Sequence, residues 1–228
     1  PVLQKKGIPA LFFLNNSFID NKDLFYRFKS SLLVEQLKSI TRDRTYIDKI
    51  SQFLGLSYSS NQDIYRHIMN ISWEDRGLLN ELADIIEYNF HEFLRDTKPY
   101  LSSEQIQKLI NEGYFLGAHS YDHAHFPNLS DMEQISEVKR SVCDLKKRFS
   151  IPYAFFAFPF YDIGVKEKVF DEIYKDQELK LNASFGTSGL KKYEKYPHFQ
   201  RIPVEKGKNG ASSYILWKFL LYFLKELA

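Results

Sequence analysis

The sequence predicts an α/β fold of parallel strand and helix units, and three observations carry that expectation. Short, continuous apolar runs at 8–14, 114–118 and 153–158 are bounded by turn formers, which is how strands buried on both faces read. Stretches of helical period separate them, so strand and helix alternate along the chain. The punctuation agrees. Gly113 stands just ahead of the second run, where a helix stops, and Ser130 with Glu133 stands just after it, where a helix starts.

Each element follows in order. Ile8-Pro9-Ala10-Leu11-Phe12-Phe13-Leu14 lies between Gly7 and Asn15-Asn16 and reads as a buried strand, with residues 1–6 before it as the tail of a helix. From 23 to 100 the period turns helical, as in Leu78, Leu82, Ile85, Ile86 and Phe90, and Ser72 caps the last of these helices. The stretch at about 20–100 therefore reads as a helical insertion within one domain spanning 1–228. Ser102 or Ser103 caps a short helix that ends at Gly113, and 114–118 is the next strand. Ser130-Asp131-Met132-Glu133 is a capping box opening a helix to about Phe149. A strand at 153–158, a helix over about 165–177, short strands at 182–185 and 199–204 and a final helix complete the chain. Such alternation builds a parallel sheet, either closed as a barrel or layered.

Composition excludes several function classes. With 228 residues, 44% hydrophobic and 26% charged, the chain can bury one sizeable core. The formal charge is +2, with Lys and Arg dispersed among Asp and Glu, which argues against nucleic acid as the main partner. Cys143 is the single cysteine, so no intrachain disulfide forms, and its helical setting suits a small buried hydrophobe. Residues 1–6 lack the basic and apolar regions of a secretory leader. The stretch 214–227 is apolar, but Lys218, Lys225 and Glu226 interrupt it short of the ~20 residues a membrane span needs. No transmembrane segment is expected there; a core-facing or interface helix is, the second being compatible with a homo-oligomer. The 15 Tyr and 20 Phe suit a sugar-binding cleft and a thick aromatic core equally. Location is left open, with the cytoplasm ahead of export.

The most informative stretch is Gly117-Ala118-His119-Ser120-Tyr121-Asp122-His123. In βα architectures, ligands gather at loops leaving the C-terminal ends of strands, and both histidines fall in such a loop. Neutral imidazole is a common ligand for Zn²⁺ and its neighbours, and two rings one turn apart can point at one ion. Ser120 is placed to brace that turn. Asp122 is a supporting or an exposed residue, and His67 and His91 fall on insertion helices, where ordinary surface roles are expected.

The same stretch resembles the His-Ser/Thr-x-x-His motif of the NodB-type polysaccharide deacetylases, and its flanks extend the likeness. Leu101-Ser102-Ser103-Glu104-Gln105-Ile106-Gln107-Lys108-Leu109-Ile110-Asn111-Glu112-Gly113-Tyr114-Phe115-Leu116 leads into it, and Ala124-His125-Phe126 follows, in the manner of the family's helix, strand and metal loop. Lys6-Gly7 with the apolar run 8–14 is similar to its second strand. Phe156-Ala157-Phe158-Pro159-Phe160-Tyr161 looks like its third motif in the branch reading Phe-Ala-Tyr-Pro-Phe-Gly. Residues 23–100 lie outside the resemblance.

The resemblance implies an irregular (β/α)7 barrel, here lacking its first strand and carrying the helical insertion. It implies hydrolysis of N-acetyl or O-acetyl groups on a polysaccharide or glycan precursor, assisted by a divalent metal, with zinc expected. His119 and His123 are the implied metal ligands. The backbone N–H of Phe160, after Pro159, is the implied oxyanion donor. Pro159 and Tyr161 shape the substrate wall, and His125 lies near enough to line it. His198, the one late histidine, is the candidate general acid. The family's base and third ligand are aspartates that the resemblance puts upstream of Pro1. No Asp-Asp pair occurs in these 228 residues, so the chain by itself would lack both. The third motif also has no arginine before its proline, where the commoner form of the family has one.

Two other readings stay open. One is a catalytically silent glycan-binding module with the same barrel. The other is an unrelated metallohydrolase whose third ligand is Asp122 or Asp162.

Overall fold

The apolar runs become five parallel strands in the computed structural model, which describes residues 2–40, 44–56, 60–188, 193–202, 204 and 210–226. The strands are β1 (Leu11–Leu14), β2 (Phe115–Ala118), β3 (Phe155–Ala157), β4 (Ala183–Gly186) and β5 (His198–Gln200). Each pairs with the next in sequence, giving the order β1-β2-β3-β4-β5. A doubly wound sheet reverses direction at a switch point; this one never does, and successive connections progress one way as in barrel winding.

The described helices are α1 (Val2–Lys5), α2 (Tyr26–Ile40), α3 (Arg44–Phe53), α4 (Asn61–Asn70), α5 (Leu78–Ile85), α6 (Phe90–Thr97), α7 (Ser103–Asn111), α8 (Asp131–Phe149), α9 (Glu167–Lys175) and α10 (Ala211–Glu226). They fall into two compact units: residues 1–16 with 104–228, which hold the sheet, and Ser17–Ser103. The second unit has its own core, in which Leu33, Leu37, Ile50, Ile64, Ile68 and Leu79 are fully buried.

Register decides which strand residues share a face. Leu14, Ala118, Phe156, Ser184 and His198 lie level across the sheet. Side chains alternate along a strand, so this row points one way and its neighbours the other. Phe156 packs on Phe126 and Phe158, and Phe158 on Phe170 of α9, so this is the helix-covered face. The opposite face carries Phe13, Phe155, Phe185 and Phe199, linked ring to ring at 5.2–6.3 Å. Gly117 makes room there, since a Cβ would stand 2.6 Å from the Phe13 ring and 3.1 Å from the Phe155 Cβ.

Several elements are shorter than their apolar runs. Pairing with β2 begins where Phe115 N–H donates to Ala10 C=O, because Pro9 has no N–H to offer. The expected strand at 199–204 is His198–Gln200, with Pro203 outside the described residues. Ser72 caps a turn through Asp75 N–H rather than a helix, and α5 starts at Leu78 after Gly77. Cys143 is half-buried, and burial raises its thiol pKa. The core-facing expectation for the last helix is not met: Leu216, Trp217, Phe219, Leu220, Phe223 and Leu224 of α10 are exposed. The helix is apolar over more of its circumference than one buried stripe can cover. Among the described residues, no helix is long and apolar enough to cross a membrane.

Candidate active site

β2 ends at Ala118, and the next residue extends its ladder, with His119 N–H donating to Leu14 C=O at 2.9 Å. Alternation therefore turns His119 away from the helix-covered face, toward Phe13, whose ring centroid is 6.4 Å from its own. His119 Nδ1 lies 2.7 Å from Ala157 C=O. A carbonyl only accepts, so Nδ1 carries the proton and Nε2 keeps its lone pair. The Asn15 side-chain amide, just beyond β1, donates to the carbonyls of His119 and Ser120 and ties the loop to the neighbouring strand. Ser120 is buried, and its hydroxyl accepts from Ala124 N–H, closing the turn that brings His123 back.

The His119 and His123 rings meet edge to face at 4.8 Å. Burial holds His119 far below its ordinary value, at about 3, and repulsion from His123 and Arg201 pushes the same way. Burial likewise holds His123 at about 4, with the charges of Arg201 and His125 adding to it. Both imidazoles are therefore neutral near pH 7, the form that can donate lone pairs to a cation.

The aromatic cluster continues from this pair. The Phe160 ring meets His123 at 4.6 Å and His125 at 5.2 Å. Tyr161 stands against His125, its hydroxyl 3.3 Å from Nε2. Pro159 is buried immediately before Phe160. Of the residues singled out from sequence, His119, His123, His125, Phe160 and Tyr161 thus form one connected group. Three residues in these loops, Ser120, His123 and Phe160, are in the left-handed region at φ 61°, 63° and 56°. Such a conformation costs a non-glycine residue about 1–2 kcal/mol and persists only where surrounding contacts enforce it.

His198 is not in that group. Level with Ala118, it sits on the helix-covered face, buried against Phe170 and Phe158, with Ser184 Oγ 2.7 Å from Nδ1 and Asp162 Oδ2 3.1 Å from Nε2. Asp162 also accepts from Thr187 N–H, Ser188 Oγ and the Gln200 amide. Burial alone would raise its carboxyl, but the hydrogen bonds from His198, Gln200 and Thr187 outweigh it and hold the group below the usual carboxylate range. Asp162 is turned to these donors, and among the described residues no group of three His, Cys, Asp or Glu is gathered for a metal. The imidazoles that the β2 loop brings together are His119 and His123.

Sequence reasoning passed over Asn15, read only as a strand boundary, and Arg201. The Arg201 guanidinium donates from Nε to Gly186 C=O and from Nη2 to Phe158 C=O, and lies 5.6 Å from the Phe13 ring centroid. A positive charge thus reaches the site from the end of β5 rather than from the third motif. Its position at the C-terminal end of a late strand was the available signal.

Fold and site together define an α/β domain with a neutral histidine pair at the C-terminal end of a parallel strand. The chain belongs to the polysaccharide deacetylase family, whose model matches residues 1–180, and its parallel sheet with covering helices is the α/β architecture of that NodB-like family. Comparison with curated proteins found no match, and neither did comparison with solved structures.

Proposed function

We propose that this protein is a metal-dependent carbohydrate deacetylase that hydrolyses N-acetyl or O-acetyl groups on a polysaccharide or glycan precursor. The observation that carries this reading is the His119 and His123 pair, neutral, edge to face at 4.8 Å, with the His119 tautomer fixed by Ala157 C=O. His119 and His123 would hold the ion, and two imidazole nitrogens suit zinc and its neighbours in the divalent series. When bound, such a cation polarises the acyl oxygen and lowers the pKa of a water.

The chain's own residues supply orientation and charge. Phe160 follows a buried proline with left-handed backbone, which suits its N–H for an acyl oxygen gaining negative charge. Arg201 contributes a fixed positive charge felt by both imidazoles. Tyr161, 39% exposed, and His125 present a ring and a polar edge of the kind that packs on a sugar. We leave His198 out of the acid role, because its buried ring has partners within the fold for both nitrogens.

The test is zinc titration of wild type, His119→Ala and His123→Ala, together with acetate release from N- and O-acetylated oligosaccharides by the full-length protein. Wild type is expected to bind one equivalent and release acetate, and each alanine variant to lose both. Glycan binding by a protein that takes up no zinc and releases no acetate would instead establish a silent glycan-binding module.

A further inference from the structure

Phe160 is an aromatic residue held at φ 56°, a backbone state that its own sequence does not favour. Whatever enforces it also sets where its N–H and its ring point. Two residues on, Asp162 is 4% exposed and draws four donors from two places: Thr187 N–H at 3.0 Å and Ser188 Oγ at 3.1 Å beyond β4, and Gln200 Nε2 at 2.8 Å and His198 Nε2 at 3.1 Å on β5. Thr187 then turns its hydroxyl back and donates to Phe160 C=O at 2.8 Å. Gly186 leaves the space for this arrangement, since a Cβ there would fall on the Asp162 carboxyl. The carboxylate and the threonine thus fasten both ends of the short segment that carries Phe160 to the ends of two strands.

We infer that Asp162 and Thr187 form a clamp that positions Phe160 against His123 for the deacetylation step, Asp162 acting through Thr187 and the loop rather than on substrate. This rests on the deacetylase reading. An oxyanion donor acts on charge that develops in the transition state, so a clamp on it governs turnover more than substrate affinity. Buried hydrogen bonds also tolerate the loss of one partner poorly, which makes conservative variants informative.

The deciding comparison is Thr187→Val, which keeps the shape and loses the donor, against Thr187→Ser, which keeps the donor; Asp162→Asn is measured beside them. For Thr187→Val and Asp162→Asn we expect kcat to fall about 10- to 100-fold, with KM within about twofold, and for Thr187→Ser near-wild-type kcat. Zinc affinity is expected to stay within about twofold in all three, which separates a displaced donor from a collapsed site. In the metal-free protein the ring-proton NMR signals of His123, set by the edge-on Phe160 ring, should move in Thr187→Val and stay in Thr187→Ser.

Full kcat in Thr187→Val, or equal losses in Val and Ser variants, overturns the clamp. If wild type itself releases no acetate, the deacetylase reading fails and the NMR signals decide the clamp alone: moved signals in Thr187→Val sustain it, and unmoved signals overturn it.

Discussion

A buried imidazole is a liability in acid, and His119 and His123 make that measurable. Each ionises near 6.5 when exposed, against about 3 and about 4 in the folded chain, chiefly because burial penalises the charge. Between pH 6.5 and about 4 the unfolded chain therefore binds more protons than the folded one, so stability is complete above 6.5 and is lost as pH falls through this window. Each histidine contributes a slope of at most about 1.4 kcal/mol per pH unit. With chelator present, urea midpoints should drop steadily from pH 7 to 4.5, and His119→Gln should flatten that slope while lowering stability at pH 7. A variant retaining the full wild-type slope would show that burial does not neutralise His119. At this scale the sequence revealed residue types and spacing but not facing. His119 and His123 were legible because one loop contains both. His198 lies on the helix-covered face, apart from the pair, and a short strand gives no sign in sequence of which face its first residue takes. Arg201 and Asp162 act across strands distant in sequence, a relation that local pattern does not encode.

The helix that follows the histidine loop in the chain is α8. Ser130 Oγ accepts from Glu133 N–H, and the Glu133 carboxylate accepts from Ser130 N–H at 2.8 Å, satisfying two helix-start donors reciprocally. Ser130→Ala should therefore cost about 1 kcal/mol in equilibrium urea unfolding, and Ser130→Asn only a few tenths. Equal losses in the two would mean that the cap is not what the serine supplies. This box was readable at sequence level because all its atoms lie within four residues. Strand ends were not: the 8–14 run shortened to Leu11–Leu14, since apolar character persists where pairing has already stopped. Ser72 misled for a related reason, as the same capping chemistry serves an isolated turn as readily as a helix.

The whole molecule keeps its chemistry and much of its hydrophobic burial in separate units. The imidazole pair, Phe160, Asp162 and Arg201 belong to the unit made of residues 1–16 and 104–228, whereas Leu33, Leu37, Ile64 and Ile68 fill a core drawn entirely from Ser17–Ser103. The sequence reading of one domain with a helical insertion at about 20–100 rests on the change in period near residue 20 and its return after 100, since helical and strand periods differ over so long a stretch. Which sheet face would carry the site was not announced, since strands apolar on both sides leave alternation unreadable. Leu37 is completely buried, so Leu37→Ala should cost its unit about 2–5 kcal/mol. If the units are separately stabilised, that loss stays local: hydrogen exchange should speed up in α2, α4 and α5, while amides of β2 and β3 keep their protection and zinc affinity stays within about twofold. Uniform acceleration across both units in Leu37→Ala, with zinc affinity falling in parallel, would show one cooperative fold in which the helical core supports the histidine pair directly.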